Sequence, residues 1–163
     1  MPHLGASYNL ARWLTRNEHD AEDLVQEAFL RAFRSFEGYR GGDPRAWLLR
    51  IVRNSCYTWL QQRRGGSADA TAAADPTEVA DDPAAGPEAQ VIRDADGRLV
   101  RRALEELAVE FREALVLREL EGLSYKEIAD VAGVPIGTVM SRLARGRKQL
   151  QQALLKRMGG HER

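Results

Sequence analysis

The sequence predicts an all-α protein: two small helical modules joined by a flexible acidic linker. Three observations carry that expectation. Apolar residues recur at helical spacing on both sides of a central gap, and no stretch alternates with the period of a strand. The gap itself, residues 65–92 (GGSADATAAADPTEVADDPAAGPEAQVI), is dominated by Ala, Asp, Gly and Pro and holds no aromatic residue. Charge divides the chain in the same places. Residues 1–64 carry 10 Lys and Arg against 7 Asp and Glu, a net +3; residues 65–92 carry 6 acids and no base, a net −6; residues 93–163 carry 14 bases against 11 acids, a net +3. The zero net charge of the 163-residue chain hides two basic modules around an acidic spacer, and basic modules point to a polyanionic partner such as nucleic acid.

In the first module, residues 5–16 place Tyr8, Ala11 and Leu14 on one side of a helix. Residues 20–36 open at an Asp20 cap and line up Leu24, Ala28, Phe29, Ala32, Phe33 and Phe36 as a broad apolar stripe. A third helix over 44–63 takes Asp43 as its cap and Pro44 in its first turn, where a missing N–H costs nothing. Its inner side reads Leu48, Val52, Cys56, Trp59 and Leu60. Its other side, Arg50, Arg53, Asn54, Tyr57, Gln61 and Arg64, is a basic, partly aromatic stripe suited to phosphates and to bases. The connection before it, FEGYRGGDP from Phe36 to Pro44, has three glycines with Tyr39 and Arg40 among them; it suits an extruded base and equally suits a plain helix–helix turn. Asp20, Glu22, Asp23 and Glu27 are acids in an otherwise basic module. Helix-dipole capping accounts for Asp20 and Asp23, and with Gln26 the exposed acids also form a docking face for a basic partner helix; spacing alone leaves both readings open.

The spacer cannot bury enough apolar surface to offset its ordering entropy, so it reads as a tether. A flexible coil of this length keeps its ends roughly 30 Å apart, and fully extended it reaches about 90 Å. The module boundaries are therefore 1–64, 65–94 for the linker, and 95–158.

The second module begins with helices over 95–107 and 109–121, which supply Leu99, Ala103, Leu104, Leu107, Leu115 and Leu120 and stop at Gly122. SYKEIADVAGVPIGTVMSRLARGRK, residues 124–148, then reads as a helix-turn-helix. Ser124 and Glu127 have the spacing of a capping box, Gly133 stands where a helix end needs a positive φ, and Pro135 where the next helix can spare an N–H. The second helix separates its faces: Val139, Leu143, Gly146 and Leu150 inward, and Thr138, Ser141, Arg142 and Arg145 outward. Hydroxyls and guanidinium forks on that outer face suit phosphates and guanine edges in a major groove.

The bulk features exclude several classes. A single Cys56 rules out an internal disulfide and a Cys-rich zinc site, and it points to a reducing cytoplasm and a buried thiol. No run approaches the roughly 20 apolar residues that span a bilayer, so a soluble protein without membrane insertion is expected. His3, His19 and His161 are too scattered for a metal site, and neither paired carboxylates nor a nucleophile–His arrangement suggests an enzyme. No metal and no cofactor is expected.

Together these residues closely resemble the sigma-70 family of bacterial RNA polymerase subunits, specifically its two-domain extracytoplasmic-function (ECF) members. DAEDLVQEAFLRAFRSF and FEGYRGGDPRAWLLRIVRNSCYTWLQQRR are similar to the second conserved region of that family, and LSYKEIADVAGVPIGTVMSRLARGRKQL to its fourth. The resemblance implies a region 2-like three-helix bundle and a region 4-like helix-turn-helix domain. It implies that Asp20, Asp23, Leu24, Gln26 and Glu27 dock on the β′ coiled coil of core polymerase, with the β flap as a second contact on the enzyme. It implies that Arg50, Arg53, Asn54 and Tyr57 meet the −10 element, that Tyr39 and Arg40 belong to a loop capturing a flipped base, and that Thr138, Ser141, Arg142 and Arg145 read the −35 element. Met140 stands at a recognition-helix position often charged in relatives. By the same resemblance the linker threads toward the RNA exit channel, an anti-sigma factor clamps both domains, and the free protein is a monomer. The competing class is a free-standing helix-turn-helix repressor or activator, which would bind duplex tightly without polymerase, as a dimer on a palindrome.

Overall fold

The computed structural model describes residues 3–36, 41–66 and 97–159, and every regular element among them is helical. In chain order these are α1 (Leu4–Thr15), α2 (Glu18–Arg34), α3 (Pro44–Gly66), α4 (97–105), α5 (Val109–Leu115) running into a π-helical turn (Val116–Leu120), α6 (Tyr125–Ala132) and α7 (Ile136–Gly159). The residues assigned to the linker lie outside the described residues except Gly65 and Gly66, which continue α3 past its expected end.

Helices α1, α2 and α3 pack on one another as a three-helix bundle. Leu10, Ala11 and Leu14 of α1, Ala21, Leu24, Val25 and Ala28 of α2, and Leu49, Val52 and Cys56 of α3 fill its core. The expected stripe on α2 is narrower than its spacing suggests: in the last turn Ala32 is buried but Phe33 is exposed, and Phe36 lies beyond the helix end and is exposed too. Its cap also differs. Asn17, rather than Asp20, accepts the backbone N–H of Asp20 at 3.0 Å, and Asp20 sits inside the first turn where its charge suits the dipole. Asp43 accepts the N–H of Arg45 at 3.0 Å and starts α3 as expected.

In the second module, Ser124 and Glu127 close the capping box, their bonds measuring 3.1 Å and 2.9 Å. The Ser124 backbone N–H, donated to the Glu127 carboxylate, holds that acid below the usual carboxylate range. Gly133 ends α6 at φ 68°, and its N–H returns to the Ala129 carbonyl at 2.8 Å. Val139, Leu143 and Gly146 then turn α7 inward, while Leu150 is half-buried. The π turn explains one missed placement. The Glu121 N–H reaches back five residues to Val116, which shifts the helical phase; Val116 and Leu117 are buried and Leu120 faces out.

The modules are docked against each other. Helix α3 packs on α6 and α1 on α5, and the buried side chains of both halves form one continuous cluster. Arg112, inside α5, is buried and donates to the carbonyls of Leu107 (3.0 Å) and Glu105 (3.3 Å) in its own module and of Leu14 (3.3 Å) at the end of α1. Burial, then the nearby Arg16, lowers its guanidinium to about 10, and three carbonyl acceptors offset the cost of placing that charge inside.

Candidate nucleic-acid interface

Helix α7 leaves the turn behind the capped α6 and presents one side to solvent, because its apolar residues recur on the other. Ser141, Arg145 and Lys148 are exposed in a row, with Gly137 one turn before them and Ala144 among them keeping that surface low. Thr138 and Arg142 are half-buried on the flank, so two of the four residues read from spacing face outward squarely and two obliquely. Lys148 was missed by the sequence reading, although it stands seven residues from Ser141, on the same face. Ile136 and Met140 are exposed on the opposite flank. A helix of this kind, with guanidinium and ammonium groups beside short side chains, can approach a major groove closely enough to contact phosphates and base edges.

The second basic surface is the outer side of α3. Arg50 and Asn54 are exposed, whereas Arg53 and Tyr57 are partly covered. The Arg53 guanidinium stacks over the Tyr57 ring at 3.7 Å, and its Nε donates to Glu113 Oε2 at 3.0 Å. Burial, then the charge of Glu113, raises the Tyr57 phenol. Glu113 is itself raised by burial, against the pull of Arg53 and, more weakly, of Arg142. Tyr39 and Arg40, the loop residues proposed for a flipped base, lie outside the described residues, as does the Arg64 side chain.

The third surface is acidic. Asp23, Gln26 and Glu27 are exposed along α2, Glu27 holding Arg31 at 2.9 Å. Asp20 is partly covered and lies 3.7 Å from Arg63 of α3. Leu24 points into the bundle core, 7% exposed, which removes it from any docking surface as the fold stands; its burial fixes the phase of α2 that turns the acids outward. Leu30 and Phe33 continue this exposed side with apolar surface, which a basic, amphipathic helix could cover. Among the described residues no cluster of His, Cys, Asp and Glu is suited to a metal, and no helix is long and apolar enough to cross a membrane.

A bundle bearing an exposed acidic face and a basic helix, followed by a helix-turn-helix, has the features of a two-module nucleic-acid-binding protein. Comparison with known proteins sharpens this. Residues 1–65 match the family model for sigma-70 region 2, and residues 97–150 that for sigma-70 region 4. The chain is 36% identical over 150 residues to the RNA polymerase sigma-H factor of Pseudomonas aeruginosa, covering 86% of this chain and 78% of that protein. It is 38% identical over 151 residues to the ECF RNA polymerase sigma-E factor of Escherichia coli, covering 85% and 77%. Against the ECF RNA polymerase sigma factor SigE of Mycolicibacterium smegmatis it is 44% identical over 156 residues, 94% of this chain, and spans only 59% of that relative's length. Among solved structures, the sigma factor RpoE of Bartonella quintana, in complex with the anti-sigma factor NepR, superposes with a TM-score of 0.75 at 30% identity, covering 94% of this chain and 91% of that one. CnrH, in complex with the cytosolic domain of CnrY, gives 0.67 at 27% identity, covering 94% and 82%. The chain belongs to the sigma-70 family, in its ECF group.

Proposed function

We propose that this chain is a promoter-specificity subunit: it binds core RNA polymerase, recognises a −35 element through α7 and a −10 element through α3, and helps to open the duplex. The observation that carries this reading is the ordered pair of modules, an acidic docking helix beside a basic helix and then a capped helix-turn-helix with Ser141, Arg145 and Lys148 exposed in a row. The polymerase supplies the chemistry and this chain supplies affinity and register, so it acts in the cytoplasm as a binding subunit without cofactor.

Asp23, Gln26 and Glu27 present the charge that a basic coiled coil on core polymerase would meet, while Arg50, Arg53, Asn54 and Tyr57 supply phosphate contacts and an aromatic face for a melted strand. Ser141, Arg142 and Arg145 supply base and phosphate contacts upstream. An anti-sigma factor is the expected inhibitor, supported by the superposable sigma factor RpoE, which was solved with the anti-sigma factor NepR.

Paired substitutions test the map. Arg142→Ala should weaken the upstream element by about 1–3 kcal/mol, the worth of one good base contact, and leave core binding intact. Asp23→Lys should lower affinity for core polymerase and leave binding of the upstream element intact. Both variants losing both activities while remaining folded would overturn the assignment.

A further inference from the structure

A cavity of about 260 Å³ lies where the end of α1 meets the start of α2 and the side of α4. Tyr8, Arg12 and Trp13 of α1, with Arg16 at its end, form one wall at the i, i+4, i+5, i+8 spacing of a single helix side. Arg101 and Glu105, one turn apart on α4, form the other. Asn9 and Glu18 are exposed at the rim, so the cavity opens to solvent there. Neither α3 nor α7 contributes to it, and no role assigned above draws on it.

The charges around this cavity are unbalanced. Three guanidinium groups line it against the carboxylates of Glu18 and Glu105, and of the three only Arg16 pairs with an acid, Glu105 at 3.9 Å. Arg12 and Arg101 are partly buried and have no ion-pair partner among the described residues. The Nε of Arg16 is buried without a hydrogen-bond acceptor. Arg16 also ends α1 at φ 60°, a left-handed conformation where glycine or asparagine is usual, so the chain carries strain to place a guanidinium there. Arg112 stands behind the same wall, bonded to the Glu105 carbonyl and met by carbonyl oxygens rather than by a carboxylate. Positive charges gathered in a partly desolvated hollow without matching acids favour an anion.

Two aromatic rings set the rest of the ligand. Tyr8 and Trp13 are partly buried, packed on the core behind them and bordering the cavity in front. Flat rings beside guanidinium groups suit a nucleobase and its phosphate: the rings supply stacking, the guanidiniums charge-assisted hydrogen bonds. The volume falls just under the roughly 300–1,000 Å³ of drug-sized ligand sites, which suits one nucleotide and excludes a duplex. We propose that this cavity binds a free nucleoside 5′-phosphate, its base on Trp13 and Tyr8 and its phosphate on Arg12, Arg16 and Arg101. The site is independent of the promoter-binding reading above.

Calorimetric titration of the full chain with AMP and with GMP at low ionic strength tests this, with adenosine and inorganic phosphate titrated separately as the two halves. At least one nucleotide should bind one to one, about tenfold or more tightly than either half, and quench tryptophan fluorescence. Arg12→Gln and Arg101→Gln, at groups with no ion-pair partner to lose, should keep the fold and each weaken binding about tenfold, as expected for a charge-assisted bond to phosphate. Trp13→Phe should keep most of the affinity and lose most of the quenching, since Trp47 and Trp59 lie on α3. No saturable binding at millimolar nucleotide, binding untouched by both arginine substitutions, or quenching that persists in Trp13→Phe would each overturn the site. Inorganic phosphate binding as tightly as the nucleotides would overturn it too, because the rings would then play no part.

Discussion

Two glycines in α7 make opposite demands on the same substitution. A helix-interior Gly→Ala change ordinarily stabilises by about 0.5–1 kcal/mol, since the unfolded chain loses freedom and the helix gains a better former. At Gly137 a Cβ would meet nothing within 4 Å, so the gain should appear nearly in full, toward its lower end because the site is in the first turn. At Gly146 the same Cβ would stand 3.3 Å from Leu115 Cδ1 and Cγ and 3.4 Å from Phe111 Cβ, inside the distance at which carbon contacts are comfortable. Leu115 is 3% exposed and hemmed in, so α5 and α7 must part. Overpacking of this kind costs about 1–3 kcal/mol, which cancels the helix gain and more. Urea unfolding should therefore place Gly137→Ala about 0.5 kcal/mol above wild type, Gly146→Ala about 1 kcal/mol below it, and the two about 1.5 kcal/mol apart. Equal shifts for both variants would show that α5 and α7 are not packed as closely as described.

Three further outcomes follow from particular groups. Cys56 is fully buried, and burial, then the charge of Glu113, pushes its thiol up to about 12. At pH 8 alkylation of the native protein should be slower than that of the denatured protein by on the order of a thousandfold, and fast labelling would mean the bundle opens readily. Because that folded-state value lies above the unfolded one, the stability Cys56 allows is complete below about pH 8 and falls as pH rises toward 12; the expected loss at pH 10 is about 1.5–2 kcal/mol, absent in Cys56→Ala. Ser124→Ala removes an acceptor from the Glu127 N–H and should lower the unfolding free energy by about 1 kcal/mol; Ser124→Thr should restore most of it.

The local signals were the legible part. Capping residues, the positive-φ glycine and the inward face of α7 are decided within a few residues, so spacing sufficed for Ser124, Glu127, Gly133, Val139, Leu143 and Gly146. Asn17 and Asp20 are three residues apart and both are good caps; the apolar period of α2 fits either, which is why the cap was misplaced. Leu120 was lost to the π turn, a phase shift without a compositional mark. Arg112 and Glu113 sit together in an apolar run, and nothing within the run says that their partners are Leu14 and Arg53, some 98 and 60 residues away. Docking of the modules is thus a long-range property that two modest cores and a tether do not announce. Of the candidate site, the outward residues of α7 were legible from period alone; the acids of α2 stood out by charge but spacing left their role open, and the cover over Arg53 and Tyr57 needed the other module in place.

Run-off transcription tests the central claim most directly: core RNA polymerase with and without the full chain, on a library of promoter fragments. The expected result is a set of specific transcripts that appears only with the chain and shares an upstream and a downstream element. No specific transcript and no core binding, together with tight binding to free duplex, would contradict it and place the chain among self-sufficient helix-turn-helix regulators.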